Sequence, residues 1–315
     1  MTNVRSLDQP RLLFQANLQP VQGSRFQPTG FPDLGAAEYQ TAAGVSTLLV
    51  ESAQSMANRL ESVCWDEAED QVVPALLGIP YVVVTLPDGS KTNSILEAHR
   101  LNSPYIEKSD RFSEIKAEVG FEKDAPFDRR RLAKALLKLD PNSLIHGIFL
   151  ESVGGVVRLP RMLSAFVEAT DVRVAPSGGV KFDRVQPAST GDSTGYGKAA
   201  EGYGNVPFHR DEYSAGEITA YFNFDLALLR GLGFGAEEED FLFDLGLFKI
   251  LAFLNQGLRL RTACDLEVVG DMVVRRPESW ELPTLADVEA RLRQRIGALS
   301  GSFNQPPVLE ATYEK

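Results

Sequence analysis

The chain has 315 residues, 43% of them hydrophobic and 24% charged, with two cysteines and a formal net charge of -11. This composition suits a folded chain with a sizeable core and excludes disorder throughout, while Cys64 and Cys264, with no CxxC or Cys/His companions, exclude a disulfide framework and a zinc site. The acidic balance argues against a surface built uniformly for nucleic acid, so a polyanion would have to meet local basic patches.

In chain order, residues 11–21 (RLLFQANLQPV) alternate apolar and polar, which predicts a first strand, and the glycine-rich 23–44 reads as a long loop. Val45, Leu49, Ala53, Met56, Leu60 and Val63 recur every three or four residues and predict a helix over 45–63. Its other face presents Gln54, Ser55, Asn58 and Arg59. Residues 66–127 lack sustained periodicity and read as an irregular insertion with a turn at Pro87–Gly89. A basic amphipathic helix is expected over 128–139, ended by Asp140-Pro141 and followed by an apolar strand over 144–150.

Pro160 with Leu159, Met162, Leu163 and Phe166 predicts another helix, carrying Arg158 and Arg161 on one face. Residues 175–205 hold seven glycines and few large apolar side chains, so they read as a mobile projection, with Lys181, Arg184 and Lys198 as its positive charges. The clearest strand is 217–228. A largely apolar helix follows over 237–255, then a strand over 263–275 and an amphipathic helix over 285–299 whose Arg293 and Arg295 are expected to face solvent.

The order of elements fits an α+β fold, helices on one face of an antiparallel sheet, as a single domain over 1–315. Met1–Pro10 has no apolar leader, and the most apolar stretch, 241–258, is interrupted by Asp244, Lys249 and Asn255, so a cytoplasmic protein is expected.

Candidate chemistry is sparse. Gly191-Asp-Ser193-Thr-Gly195 matches a nucleophile-elbow pattern but lacks the strand and helix that make it work, and His209-Arg210-Asp211 has Gly216 where a kinase loop needs Asn. His99 and His146 have no partner spacing, and no metal site is expected. Arg25 in its loop, the pair Arg158 and Arg161, and the alternating pair Arg259 and Arg261 each read singly as solvated charges. Tyr221 on the polar strand face could stack on a base, though a half-buried sheet tyrosine is commoner.

The runs RLLFQANLQPVQGSRFQPTGFPDLGAAEY, LLVESAQSMANRLE, SLIHGIFLES, RLPRMLSAFVEA, YGNVPFHRDEYSAGEITAYFNFDL and GLRLRTACDLE resemble the type I-G (formerly I-U) CRISPR backbone protein of the RAMP superfamily. The resemblance implies an RNA-recognition-motif-like, ferredoxin-like palm with a finger-like insertion at 66–127 and a thumb-like insertion at 175–210. It implies a non-enzymatic subunit that oligomerises along the spacer of a guide RNA (crRNA) in a Cascade complex for antiviral defence, with base pairing reading the DNA target. Implied partners are the guide RNA, the target DNA strand through the guide, further copies of the chain, the large subunit and the guide-processing or handle-binding subunit. No membrane and no cofactor are implied.

By the same resemblance the RNA contacts are Gln54, Ser55, Asn58 and Arg59, with Ala57 where some relatives carry lysine, together with Arg25, Arg158, Arg161, Lys181, His209, Arg210, Arg259 and Arg261. The loop Phe31-Pro-Asp33-Leu-Gly lies where RNA-targeting relatives place a cleaving aspartate, so metal-dependent RNA cleavage through Asp33 is the alternative.

Overall fold

A computed structural model of the chain describes residues 4–31, 33–120, 127–153, 155, 157–181, 206–278 and 280–314. One sheet organises them, built from β1 (Arg11–Pro20), β2 (Glu38–Gln40), β3 (Ser46–Glu51), β4 (Leu163–Thr170), β5 (Glu217–Asp225), β6 (Leu258–Arg261) and β7 (Cys264–Arg276). The strand order is β6-β7-β1-β5-β4-β3-β2, and every neighbouring pair is antiparallel. The fold is a mixed α+β one with a curled sheet.

Period-two burial drives these strands. Leu12, Phe14, Ala16 and Leu18 of β1 and Leu163, Ala165, Val167 and Ala169 of β4 are buried, their neighbours half-exposed or exposed. Helices α1 (Ala53–Ser62), α2 (Arg129–Leu139), α3 (Pro141–His146), α4 (Ala236–Asn255) and α5 (Leu285–Ala298) complete the frame. The α4 helix is apolar nearly all round and buried along its length, as an apolar helix must be in water. Phe243 on α4 meets Phe224 of β5 edge to face at 5.5 Å between ring centroids.

Several expectations need correction. The stripe over 45–63 is not one helix. Thr47 and Val50 favour a strand, which pairs with β4 on one side and β2 on the other, and Ser52 then caps α1 by accepting the Ser55 amide at 3.3 Å. The helix expected around Pro160 is absent: Val157–Leu159 is a short strand and 163–170 is β4, so Arg158 and Arg161 share no helical face. Residues 144–146, read as the start of a strand over 144–150, belong instead to α3, with Pro141 in its first turn, and Gly147 (φ 76°) turns the chain into the strand Ile148–Leu150. Strand β5 stops at Asp225, whose carboxylate accepts the Leu228 amide at 2.7 Å and starts a short helix, Leu226–Gly231.

The described residues of the 66–127 segment are more ordered than their periodicity suggests. Tyr81–Thr85 pairs with Lys91–Asn93 and, in parallel, with the distant strand Val308–Thr312. Helix α5 is not a solvated element either: Arg295, with a side chain 11% exposed, binds Asp240 at 3.2 Å and Asp244 at 2.9 Å on α4, and Arg291 binds Asp244 at 2.7 Å. Arg293 alone of the expected pair is exposed.

Beneath the sheet lies a buried polar cluster. Lys249, wholly buried, donates to Asn142 Oδ1 at 2.5 Å, Asn142 donates to Glu61 Oε1 at 2.6 Å, and Glu61 takes a bidentate pair from Arg100 at 2.6 and 2.9 Å. Both cysteines are buried and free. No helix among the described residues is long and apolar enough to cross a membrane.

Candidate nucleic-acid interface

The curl of the sheet brings β3 and β6, which are far apart in strand order, to a common rim. Main chain of the loop after β1 bridges them: the Gln27 amide donates to Ala263 O at 2.7 Å and the Thr29 amide to Val50 O at 3.1 Å. Side chains finish the closure. Arg59 on α1 donates to Leu260 O, and Arg261 donates to Gln27 O at 3.1 Å and Val50 O at 3.0 Å.

Both guanidiniums share one carboxylate. Glu51, the last residue of β3, is 1% exposed; its Oε1 lies 3.4 Å from Arg59 Nε and its Oε2 accepts from Arg261. A second glutamate repeats the arrangement nearby. Glu212, also buried, pairs with Arg25 at 3.3 Å and with Arg210. Arg210 and Arg261 line one cavity of about 930 Å³ with Gln27, Glu38 and Tyr213, and Arg25 and Glu212 line another of about 400 Å³. Burial, and then a hydrogen bond with Glu38, hold the Tyr213 phenol above its ordinary pKa, so it is a neutral hydroxyl there.

Beside the rim α1 turns Gln54 and Asn58 to solvent, while Ser55 is half-buried. Arg210 and Glu212 belong to a two-stranded ribbon, Arg173–Lys181 with Val206–Ser214, whose base joins the loop through reciprocal Phe26–Tyr213 main-chain bonds of 2.9 Å. His209 is exposed on this ribbon, 3.7 Å from Asp211. The Lys181 side chain, the serine pattern at 191–195, and Arg184 and Lys198 lie outside the described residues.

The structure thus brings Arg25, Arg59, Arg210 and Arg261 together, with Gln54, Ser55 and Asn58 alongside. Arg259 is exposed on β6 opposite Asp265. Arg158 and Arg161 stand in a different groove, beside Arg100 and Arg129. Sequence reasoning missed Glu51 and Glu212, the counter-ions that set the rim; the only trace of Glu51 was a carboxylate ending an otherwise apolar strand. Asp33 sits in the loop between the two-residue strands Gly30–Phe31 and Gly35–Ala36 and is exposed. Among the described residues no three His, Cys, Asp or Glu side chains converge as metal ligands would.

These features define an α+β protein whose curled antiparallel sheet carries an arginine-glutamate rim. The family model for CRISPR-associated protein GSU0053 matches residues 12–174, just over half of the chain, and the chain belongs to that family. No curated protein matches it. Among solved structures it is similar to a chain of a CRISPR RNA-guided surveillance complex in a pre-nicking state, at 13% identity and TM-score 0.44 over 91% of this chain and 85% of that one. A second CRISPR RNA-guided surveillance complex gives 13% and 0.39 over 91% and 81%, and Csc2 of Thermofilum pendens gives 11% and 0.32 over 94% and 79%. These likenesses score low, and the family assignment rests on the sequence match.

Proposed function

We propose that the chain is a guide-RNA-binding backbone subunit of a Cascade-type, type I-G CRISPR effector, and that it acts by holding RNA and not by catalysis. The rim carries this reading: four arginines from four separate segments are drawn together by two buried glutamates, with the exposed amides of Gln54 and Asn58 beside them. A guanidinium fork fits a phosphate as it fits a carboxylate, so a strand laid along the rim can take over donors that the glutamates now hold. Membership of a CRISPR-associated family supports the RNA-guided setting.

The order β7-β1-β5-β4, with α1 before β4 and α4 between β5 and β7, is the β-α-β-β-α-β arrangement of ferredoxin-like domains and supports a palm of the RNA-recognition type. Residues 66–127 and 175–210 are the finger and thumb of this reading. Further copies of the chain, the large subunit, the handle-binding subunit and the target DNA strand, paired to the guide, are its partners in the cytoplasm.

Protein purified alone or with its partner subunits should carry RNA, visible in its ultraviolet absorbance ratio. Gln54→Ala with Asn58→Ala should lower RNA retention more than Arg293→Ala does, because Arg293 lies on α5, away from the rim, and pairs with Glu289. Protein free of RNA that also binds no single-stranded RNA, alone or in the complex, would sink the reading.

A further inference from the structure

Most cations at the rim are matched by a carboxylate; a second place in the molecule is not. A groove of about 480 Å³ is lined by Arg100, Arg129, Arg158 and Arg161 with His146 and Phe149, and no Asp or Glu is among its lining residues. It shares no lining residue with the two cavities at the rim. Arg100 forms its floor and is fully engaged: Glu61 takes Nε and Nη2, and Gly147 O takes Nη1 at 3.1 Å. That engagement holds Arg100 in left-handed backbone, φ 56°, a conformation that arginine rarely adopts and that marks a site where position matters more than local comfort.

The other three arginines keep donors free. Arg158 sits over the exposed ring of Phe149, its Cζ 4.4 Å from the centroid, and its guanidinium N–H groups donate to no other described residue. Among the described residues Arg161 spends only Nη1, on Ala53 O at 2.9 Å. Arg129 makes no hydrogen bond or ion pair to another described residue. Burial, and then the nearby Arg100, hold the Arg161 guanidinium below its ordinary pKa, and Glu61, already bound to Arg100, offsets this only in part. Buried His146, beneath them, has no partner for either ring nitrogen among the described residues.

We propose that this groove is a phosphate-binding site, separate from the glutamate-bridged rim, in which Arg129, Arg158 and Arg161 close on the oxygens of one phosphate group. The phosphate is one of a nucleic acid backbone or one free in solution, and the site stands whether or not the rim holds guide RNA.

The test compares the full chain with R129Q/R158Q, since neither side chain donates a hydrogen bond to another described residue. One arm follows the melting midpoint as sodium phosphate replaces sodium chloride at constant ionic strength. The other follows the anisotropy of a labelled oligouridylate. Phosphate should raise the midpoint of the parent more than that of the variant, which keeps only the general stabilisation by an excluded anion, and binding should weaken about ten-fold for each charge-assisted hydrogen bond removed. A parallel drop in oligouridylate affinity identifies the source as nucleic acid; loss of only the parent's extra phosphate stabilisation identifies free phosphate. A variant indistinguishable from the parent in both arms overturns the proposal. Arg158→Glu, a single exposed change, carries the same comparison if the double variant misfolds. RNA retention abolished in the Gln54/Asn58 variant and kept in R129Q/R158Q, or the reverse, separates the groove from the rim.

Discussion

Glu51 is placed to have opposite effects on folding and on the proposed RNA binding. Buried between Arg59 and Arg261, it neutralises two guanidiniums that otherwise repel across the seam between α1 and β6. Glu51→Gln should cost about 2 kcal/mol in urea denaturation, below the range for a fully buried pair because both arginines are roughly a quarter exposed. In the same variant RNA affinity per folded molecule should stay level or rise, since both guanidiniums are released for phosphate. A fall in both quantities would show that Glu51 orients the arginines and does not compete for them. Asp140 gives a second test at this scale. Burial pushes its carboxyl up to about 7 against the opposing pull of the Ser143 hydroxyl at 2.7 Å. The unfolded chain gives up this proton near pH 4 and the folded chain holds it to about 7, so stability falls as pH rises through that window, by up to about 4 kcal/mol. Asp140→Asn should flatten this part of the curve in pH-dependent thermal melts; an unchanged slope would place the titration elsewhere.

Helix α4 meets β5 so closely that Gly246 has no room for a methyl group: a Cβ there would stand 2.2 Å from Phe224 Cε2. Gly246→Ala should therefore destabilise by about 1–3 kcal/mol although alanine is the better helix former, and Gly297→Ala, with open space on α5, should not. Chemical denaturation of the two variants decides it. The elements also show what local pattern can and cannot reveal. The strands β1 and β5 and helices α2, α4 and α5 were legible because each repeats one period along its length. Residues 45–63 and 158–170 misled because apolar residues at helical spacing also sat at alternate positions, and the deciding features were a cap at Ser52 and cross-strand partners from 217–225. Residues 66–127 were illegible for a different reason. Their central strand is completed by residues more than two hundred positions later, and no window along the chain contains both.

Across the whole molecule, seven of the side chains that the sequence nominates for RNA fall about one rim, yet the charge balance of -11 hid how that rim works. Each pair of rim arginines is half cancelled by its own glutamate, whereas Arg129, Arg158 and Arg161 are not. The salt dependence of RNA binding should accordingly be shallow, with a slope in log affinity of about -0.7 for each phosphate actually neutralised and few of them per chain. A steep slope in salt titrations would mean that the glutamates leave the arginines on binding. Removal of residues after Pro306 deletes the parallel strand Val308–Thr312, leaving the edge of Tyr81–Thr85 unpaired and the core without buried Leu309 and Ala311, and should lower the melting midpoint and raise dye binding to apolar surface.

The reciprocal bonds between Phe26 and Tyr213 also have a mechanical meaning. They act as a fulcrum for the ribbon, whose two nine-residue strands make a beam of about 30 Å. A tilt of about 10° at the pivot would sweep the far end by about 5 Å. Glu212 is on the ribbon side of that pivot and Arg25 on the loop side, so load on the beam would be felt as tension in an ionic contact that ties the ribbon to the rim.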